Sequence, residues 1–242
     1  MPKPKYAPAP DIDGLLLIDK PTDFTSHDVV AVIRRHLRQR KVGHGGTLDP
    51  NATGLLVILL GRGTSLSDRV MGGDKLYTGT LLLGRETTTQ DIEGETVAEK
   101  PFDAVTPESL AAAMDSFRGD QYQTPPMASA VKIRGVRLYK LARQGESVAR
   151  EPRFIHVYRF LPTAVDPPRV SFEVLCSKGT YVRTLCHDLG RKLGCGACME
   201  SLRRVRSGSL DLSRATPLHE ALEMDPADLA ERVIPCTSYL AD

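Results

Sequence analysis

A run of apolar residues, Leu55-Leu56-Val57-Ile58-Leu59-Leu60, is bounded on its two sides by Gly54 and Gly61. A strand with one face in water alternates apolar and polar residues, and this run does not alternate. The run therefore predicts a fully buried strand, covered on both faces by other elements of the fold.

Strand and helix signals follow one another irregularly around this run. Strands are predicted near residues 14–20, 76–83, 130–133, 154–160, 170–176 and 202–210, and helices near residues 26–38, 106–117, 138–143 and 180–193. Thr25 with Asp28 resembles a capping box, and Thr106-Pro107-Glu108 is a strong helix start. Hairpin-like neighbours mixed with helical crossovers favour a mixed α/β or α+β sheet over a regular βαβ array.

The net charge of the 242 residues is only +2, but the charges are unevenly distributed. Residues 34–41 contain five Lys or Arg and no acid, residues 132–153 contain seven against two acids, and a third cluster holds Arg203, Arg204 and Arg206. Such segregation predicts one basic face able to neutralise phosphates, although a single charge run usually marks only a solvated surface.

Composition indicates a globular protein of the cytoplasm. No apolar run approaches the roughly 20 residues needed to span a bilayer, and residues 1–11 lack the apolar stretch of a signal peptide and predict a flexible lead. The five cysteines are an odd number and do not suggest a disulfide framework. Cys195 and Cys198 have zinc-like spacing without a second such pair, so reduced, packed cysteines are the better interpretation than a metal site.

The segment Val42-Gly43-His44-Gly45-Gly46-Thr47-Leu48-Asp49-Pro50 places one carboxylate at a restricted position. The residue before a proline is pushed towards extended geometry, and the glycines permit close approach of a ligand to the backbone. The segment is consistent with a rigidly held acid beside a flat substrate. Taken alone, it is also consistent with a tight surface turn.

Several spaced segments coincide with this loop. They are Lys20-Pro21 with Thr25-Ser26, Ala52-Thr53-Gly54-Leu55-Leu56, Tyr77 with Gly84-Arg85-Glu86-Thr87-Thr88-Thr89-Gln90-Asp91, Gln123-Thr124-Pro125-Pro126-Met127, Cys176-Ser177-Lys178-Gly179-Thr180-Tyr181-Val182-Arg183-Thr184-Leu185, and Leu202-Arg203-Arg204 with Ser207-Gly208. Together, in collinear order from about Gly14 to Gly208, they resemble the bacterial TruB family of tRNA pseudouridine synthases. The resemblance implies a pseudouridine synthase fold, with a large mixed, mostly antiparallel sheet flanked by helices.

The resemblance also implies the site residues. Asp49 corresponds to the family nucleophile, Arg183 to the arginine that pairs with it, and Tyr77 to the tyrosine that stacks on the target uracil. Further substrate-binding positions of the family correspond to His44, Tyr181, Leu202 and, in a supporting role, Lys20. Asp91 is consistent either with orienting the site or with capping a turn.

The implied reaction converts uridine 55 in the T-loop of tRNA to pseudouridine, after the base has been flipped out of its stack. This isomerisation needs no redox cofactor, ATP or metal. The implied partner is the T-arm of tRNA, and nothing in the sequence demands a membrane, a protein partner or more than a monomer. We expect residues 12–212 to form the catalytic domain and residues 213–242 a short helical extension, without a full RNA-binding domain of the PUA type.

The sequence departs from the family pattern at two places, and two other functions are alternatives to the tRNA enzyme. Ala128 replaces a frequent tyrosine, and Gly63-Thr64-Ser65 replaces a segment that often carries lysine. An RNA-guided, dyskerin-like synthase is the rival within the enzyme class, and the expected lack of the C-terminal domain argues against it. An RNA-folding factor is the rival from another class, and it can coexist with catalysis.

Overall fold

The computed structural model describes residues 12–127, 129, 132–133, 136–138, 146 and 148–241. The chain divides into two units, unit 1 with Met1–Gly73 and Arg203–Asp242, and unit 2 with Asp74–Leu202. Ala128 and most of the predicted helix 138–143 lie outside the described residues.

The strands, in chain order, are β1 (Gly14–Lys20), β2 (Val42–His44), β3 (Thr53–Leu60), β4 (Lys75–Leu83), β5 (Arg85–Thr87), β6 (Thr96–Glu99), β7 (Gly119–Gln123), β8 (Lys132–Ile133), β9 (Val136–Arg137), β10 (Arg153–Asp166), β11 (Arg169–Cys176), β12 (Ala197–Ser207), β13 (Leu210–Asp211), β14 (Thr216–Pro217) and β15 (Ile234–Pro235). The α-helices are α1 (Ser26–His36), α2 (Ser67–Gly72), α3 (Pro107–Asp115), α4 (Val182–Leu193), α5 (Leu218–Glu223), α6 (Pro226–Glu231) and α7 (Cys236–Ala241). Short 3-10 helices cover Gly61–Leu66 and Leu212–Arg214.

In unit 1, β3 is the central strand. It pairs antiparallel with β1 from Gly54 to Leu60 and antiparallel with β2 near its end. The last part of β12 pairs parallel with the start of β3, where Arg204 lies opposite Gly54. Leu55 to Leu60 are each at most 1% exposed, so the prediction of a fully buried strand is confirmed.

The C-terminal residues belong to unit 1. Here β14 pairs parallel and β15 antiparallel with β1, and Tyr239 of α7 packs in the same apolar cluster as Leu15 and Leu17. The division into a catalytic domain and a C-terminal extension stays a prediction.

In unit 2, the strands β4, β11, β10 and β7 are neighbours in that order, and all of these pairs are antiparallel. Helix α3 packs on β10 and on α4. The rings of Phe160 and Phe172 meet edge to face at 5.6 Å in this core, which is a favourable aromatic geometry.

Local signals predicted the helix starts well. Thr25 and Asp28 form the predicted capping box of α1, and Thr106 caps α3 with Pro107 in the first turn. Helix α1 ends at His36, two residues before the predicted end, and Arg38 has a left-handed φ of 50°. The strand predicted over residues 202–210 instead begins at Ala197 and ends at Ser207, because Gly208 with φ 59° turns the chain into β13.

Within the described residues, no helix is both long enough and apolar enough to cross a membrane.

The parallel contact of β3 with β12 depends on a glycine. Gly54 has φ 95°, and a Cβ atom there would overlap the backbone of Arg204. We expect Gly54→Ala to lower the free energy of unfolding by more than about 1 kcal/mol, measured by urea denaturation. The control is Gly72→Ala in α2, where a Cβ would meet nothing within 4 Å and the free energy should stay unchanged or rise slightly. Equal effects of the two substitutions would contradict this explanation.

Candidate active site

The loop that carries Asp49 begins where β2 leaves β3. The Gly45 amide donates to the Val57 carbonyl at 2.8 Å, and Gly46 has φ 125°, a region that favours glycine. A Cβ on Gly45 would overlap Val70 of α2. For Gly45, the close approach expected from the sequence is therefore made by the protein itself and not by a ligand.

Arg204 lies beneath this loop and is only 2% exposed. Its guanidinium donates to the carbonyls of Gly46 at 3.2 Å, Thr47 at 3.4 Å and Leu55 at 2.7 Å. The planar fork of an arginine suits several acceptors at once, and a buried guanidinium needs such acceptors. Arg204 thus joins the loop to the buried strand β3.

Ser26, at the start of α1, holds the middle of the loop. Its hydroxyl accepts from the Leu48 amide at 2.9 Å and donates to the Leu48 carbonyl at 3.1 Å. One buried side chain thus satisfies both backbone groups of the residue before Asp49.

Lys20, at the end of β1, holds the far side of the loop and is fully buried. Its ammonium donates to the carbonyls of Pro21 at 2.7 Å, Phe24 at 2.6 Å and Pro50 at 2.8 Å, so each of its three N–H groups has an acceptor. Burial lowers the pKa of Lys20 to about 8, while the charge of Asp49 acts in the opposite direction and favours the ammonium. The supporting role expected for Lys20 thus has a geometric basis.

His44, at the end of β2, is half-buried, and its Nδ1 atom is buried without a hydrogen-bond partner among the described residues. Burial, together with the nearby charges of His27 and Arg204, lowers its pKa to about 4. The His27 ring meets the His44 ring edge to face at 5.2 Å. His44 is therefore neutral at pH 7 and presents a flat, uncharged ring beside the loop.

In unit 2, Arg183 lies in the first turn of α4 and is 5% exposed. Its guanidinium donates to Asp91 Oδ2 at 3.1 Å and to the Thr89 carbonyl at 3.4 Å. An isolated arginine at a helix start is usually exposed, and this one is not. The other oxygen of Asp91 accepts from Thr89 Oγ1 and from the Glu93 amide, so Asp91 caps a turn and orients Arg183 as well.

Tyr181 is the residue that caps the start of α4, and its backbone is held by a side chain that sequence reasoning missed. Gln123 of β7 accepts from the Tyr181 amide at 2.8 Å and donates to the Tyr181 carbonyl at 3.1 Å. Gln123 is 5% exposed. Gln123 is the first residue of one of the segments that resemble the family, but the sequence alone did not indicate that its side chain holds the Tyr181 backbone.

Tyr77 and Leu202 lie on strands of unit 2. Tyr77, on β4, is half-buried and stands opposite Val174 of β11. Leu202, on β12, is buried. Asp49, His44 and Lys20 thus belong to unit 1, and Tyr77, Tyr181, Arg183 and Leu202 to unit 2. The pairing of Asp49 with Arg183 stays a prediction.

Unit 1 also carries a basic surface around the end of α1, which we call the α1 basic surface. It consists of the exposed residues Arg34, Arg35, Arg38, Arg40 and Lys41. Between two of its members, the buried Gln39 side chain bonds both the amide and the carbonyl of Ile12, at 3.1 Å each. This anchor fixes the turn so that the cations on either side of it face solvent.

Family models match nearly all of the chain. The TruB family pseudouridylate synthase N-terminal domain matches residues 34–182, and the tRNA pseudouridylate synthase B C-terminal domain matches residues 183–241. The chain belongs to the TruB family of pseudouridylate synthases. The expectation of an isomerase of this family is thereby confirmed.

Curated relatives of this TruB family protein carry the name tRNA pseudouridine synthase B. The protein of Opitutus terrae is 49% identical over 94% of this chain and 95% of its own length. The protein of Syntrophotalea carbinolica is 48% identical over 96% of this chain and 76% of its own length.

Solved structures confirm the expected fold of the TruB family protein. A chain of a Cbf5-Nop10-Gar1 complex matches with a TM-score of 0.73 and 29% identity, covering 93% of this chain and 60% of that chain. A chain of the archaeal box H/ACA sRNP Nop10-Cbf5 complex matches with a TM-score of 0.69 and 27% identity, over the same shares of the two chains. The family fold therefore extends over almost the whole chain.

The cysteines of the TruB family protein are free thiols, and Cys195 and Cys198 are buried. Burial raises the pKa of the Cys198 thiol to about 11, which disfavours the thiolate that metals prefer. In the described part of the chain, no group of three or more His, Cys, Asp or Glu side chains is placed to hold a metal ion.

The hydrogen bonds by which Arg204 joins the Asp49 loop to β3 can be tested by comparing Arg204 with its neighbour Arg203 on β12. Arg204→Lys keeps the charge but loses the fork, so we expect the free energy of unfolding to fall by about 3 kcal/mol and amide exchange in residues 46–49 to accelerate. The control is Arg203→Lys, whose side chain is 42% exposed and pairs with Asp19 at 2.6 Å. An exposed pair contributes about 1 kcal/mol or less. Equal losses of unfolding free energy and equal amide exchange in the two variants would refute this role of Arg204.

The buried state of His44 predicts a pH effect. The unfolded chain takes up a proton at this ring near pH 6.5, but the folded protein does so only near pH 4. The free energy of unfolding should therefore fall as the pH drops from 6.5 to 4, and less steeply in His44→Asn. NMR titration should place the His44 ring pKa near 4. A His44 pKa near 6.5 would contradict the partial burial of this ring.

Proposed function

We propose that this TruB family protein converts uridine 55 in the T-loop of tRNA to pseudouridine, with Asp49 as the nucleophile. The observation that carries the proposal is the Asp49 loop, whose backbone is held by Lys20, Ser26 and Arg204. Catalysis requires a reacting group to be held in one geometry before the substrate arrives, and this loop meets that requirement.

The reaction is an isomerisation. The C1′–N1 glycosidic bond breaks, the uracil rotates, and C1′ bonds to C5, while C5 loses a proton and N1 gains one. An ionised carboxylate can attack the sugar or the base covalently, or it can stabilise positive charge that develops at C1′. Both routes need Asp49 in its carboxylate form. Because no atom or electron is gained or lost overall, the chemistry calls for no redox cofactor and no ATP.

The electrostatics around Asp49 support an ionised carboxylate. The charge of Asp49 favours the ammonium form of Lys20, so the two charges attract each other. We further propose that Arg183, oriented by Asp91, pairs with Asp49 and balances its charge. Arginine is suited to this role because its charge is permanent and its fork is planar.

The target base must leave its stack before it can react, which costs a few kcal/mol. We propose that Tyr77 stacks on the flipped uracil and that Tyr181 and Leu202 line its pocket. His44, whose ring is neutral, is proposed to support the nucleotides around the vacated position. A charged ring would gain more from a phosphate, so contact with bases suits His44 better.

The α1 basic surface is proposed to bind phosphates of the T-arm. Its cations lie directly before β2, the strand that leads into the Asp49 loop. Backbone contacts of this kind supply affinity without sequence specificity, and their strength falls with salt.

The choice between a tRNA enzyme and an RNA-guided one rests on similarity. The relatives called tRNA pseudouridine synthase B are up to 49% identical over most of their length, whereas the matched Cbf5 complex chain is 29% identical. We therefore propose tRNA as the substrate, the cytoplasm as the location, and a monomer that needs no partner protein. Residues 12–212 are proposed as the catalytic domain and residues 213–242 as its helical extension.

Release of tritium from C5-labelled uridine in tRNA tests the nucleophile. We expect Asp49→Asn to reduce release by more than about 1000-fold, because the carboxylate is lost, while tRNA affinity stays within about twofold. The control is Asp23→Asn, an exposed acid in a turn near the start of α1, which should release label at the wild-type rate.

Equal release from wild type and Asp49→Asn would refute the nucleophile assignment. Absence of release from the wild type, combined with tight tRNA binding, would instead favour an RNA-folding factor without catalysis.

A further inference from the structure

A row of exposed aromatic rings lies on one face of β7 and β10 in unit 2. Phe154 stands opposite Tyr122, and His156 opposite Asp120, in the antiparallel register of these strands. Tyr122 is 74% and Phe154 60% exposed, and their rings meet edge to face at 5.8 Å. Further along β10, the rings of His156 and Tyr158 are 4.4 Å apart. We call Tyr122, Phe154, His156 and Tyr158 the aromatic row.

The aromatic row does not serve the core of unit 2. Side chains alternate along a strand, and Ile155 and Val157, which point to the opposite face of β10, are at most 1% exposed. Rings as large as Tyr122 and Phe154 would gain from burial, and the described residues leave both largely in solvent. Adjacent exposed rings of this kind usually mark a binding surface.

Polar contacts hold His156 and Tyr158 of the aromatic row in place. His156 Nδ1 lies 2.6 Å from Asp120 Oδ1, and the His156 amide donates to Ser177 Oγ at 2.8 Å. The Tyr158 phenol is hydrogen-bonded to Asp74, which raises its pKa and keeps it neutral. The row is thus organised before any ligand arrives, which lowers the entropy lost on binding.

Charge indicates which ligand fits. The two strands of the row are joined by residues 124–152, and residues 132–153 contain seven Lys or Arg against Glu146 and Glu151. Phe154, the second residue of β10, follows the basic segment directly, whereas Tyr122, one residue before the end of β7, lies ten residues before Lys132. In the sequence the two rings thus flank a segment rich in cations. This combination suits RNA, whose phosphates are neutralised by cations and whose bases stack on aromatic side chains.

The arrangement also matches a known mode of RNA recognition. Antiparallel sheets with helices on one face present aromatic side chains on the other face, where unpaired bases stack. In unit 2, α3 packs on β10, and the buried face of β10 is opposite the aromatic row. Alternate residues of a strand are about 6.6 Å apart, so neighbouring rings can receive separate bases.

We propose that the aromatic row, centred on Tyr122 and Phe154, stacks on an unpaired nucleotide of the RNA substrate outside the pocket that receives the target uridine. The proposal rests on the proposed function in one respect, since it assumes that the substrate is tRNA. The row adds affinity for folded tRNA and takes no part in bond making or breaking.

The test compares wild type with Tyr122→Ala and Phe154→Ala, using full-length tRNA transcript in an equilibrium binding assay. We expect each substitution to raise Kd about tenfold, which corresponds to ~1.4 kcal/mol and to the lower range of one stacked base. The single-turnover rate at saturating tRNA should stay at the wild-type value. Phe154→Tyr, which keeps a flat ring, should retain wild-type affinity.

The matched control is Leu161→Ala, an exposed aliphatic position further along β10 that should not alter Kd. Unchanged Kd in both aromatic variants would overturn the proposal, as would a Phe154→Tyr variant as weak as Phe154→Ala. A sedimentation change in Tyr122→Ala without a change in Kd would also overturn it and identify the row as a protein contact. The binding assay measures stacking on the aromatic row even if no tritium is released. Failure of the proposed reaction can therefore be distinguished from failure of the proposed stacking.

Discussion

The site of this protein depends on buried cations that bind backbone carbonyls. Lys20 and Arg204 each donate three hydrogen bonds to backbone carbonyls. Three of these carbonyls belong to the loop around Asp49, namely those of Gly46, Thr47 and Pro50. A buried charge without acceptors is costly, so these side chains and the loop require each other. The carboxylate is therefore presented by a rigid support, although the loop itself contains glycines and has no regular structure.

The same two cations shape the electrostatics of their surroundings. The charges of Lys20 and Asp49 attract each other, and the charge of Arg204 disfavours a proton on His44, whose pKa is lowered chiefly by burial and also by His27. One acidic and one neutral group thus lie a few residues apart on the same loop. The cations proposed to bind RNA lie elsewhere, on the exposed α1 basic surface.

Much of the fold could be predicted because its signals are local. The apolar run of β3 and the capping box of α1 depend on residues that are neighbours in sequence. The candidate site residues were predicted from the resemblance of whole segments to a family. Their physical surroundings could not be predicted, because the partners are distant: Arg204 binds carbonyls 149 to 158 residues away, and Arg183 binds Asp91, 92 residues away. Neither sequence pattern nor propensity indicates that an arginine next to an exposed arginine is buried.

Gln123 and Tyr122 are neighbours on β7 and serve opposite faces of it. The side chain of Gln123 points inward and fixes Tyr181, whereas that of Tyr122 points outward into the aromatic row. Because the side-chain period of a strand is two, a slip of one residue would exchange these positions and disable both at once. An insertion or deletion within β7 would therefore disturb both side chains, while a change in the length of the segment after it leaves this register intact.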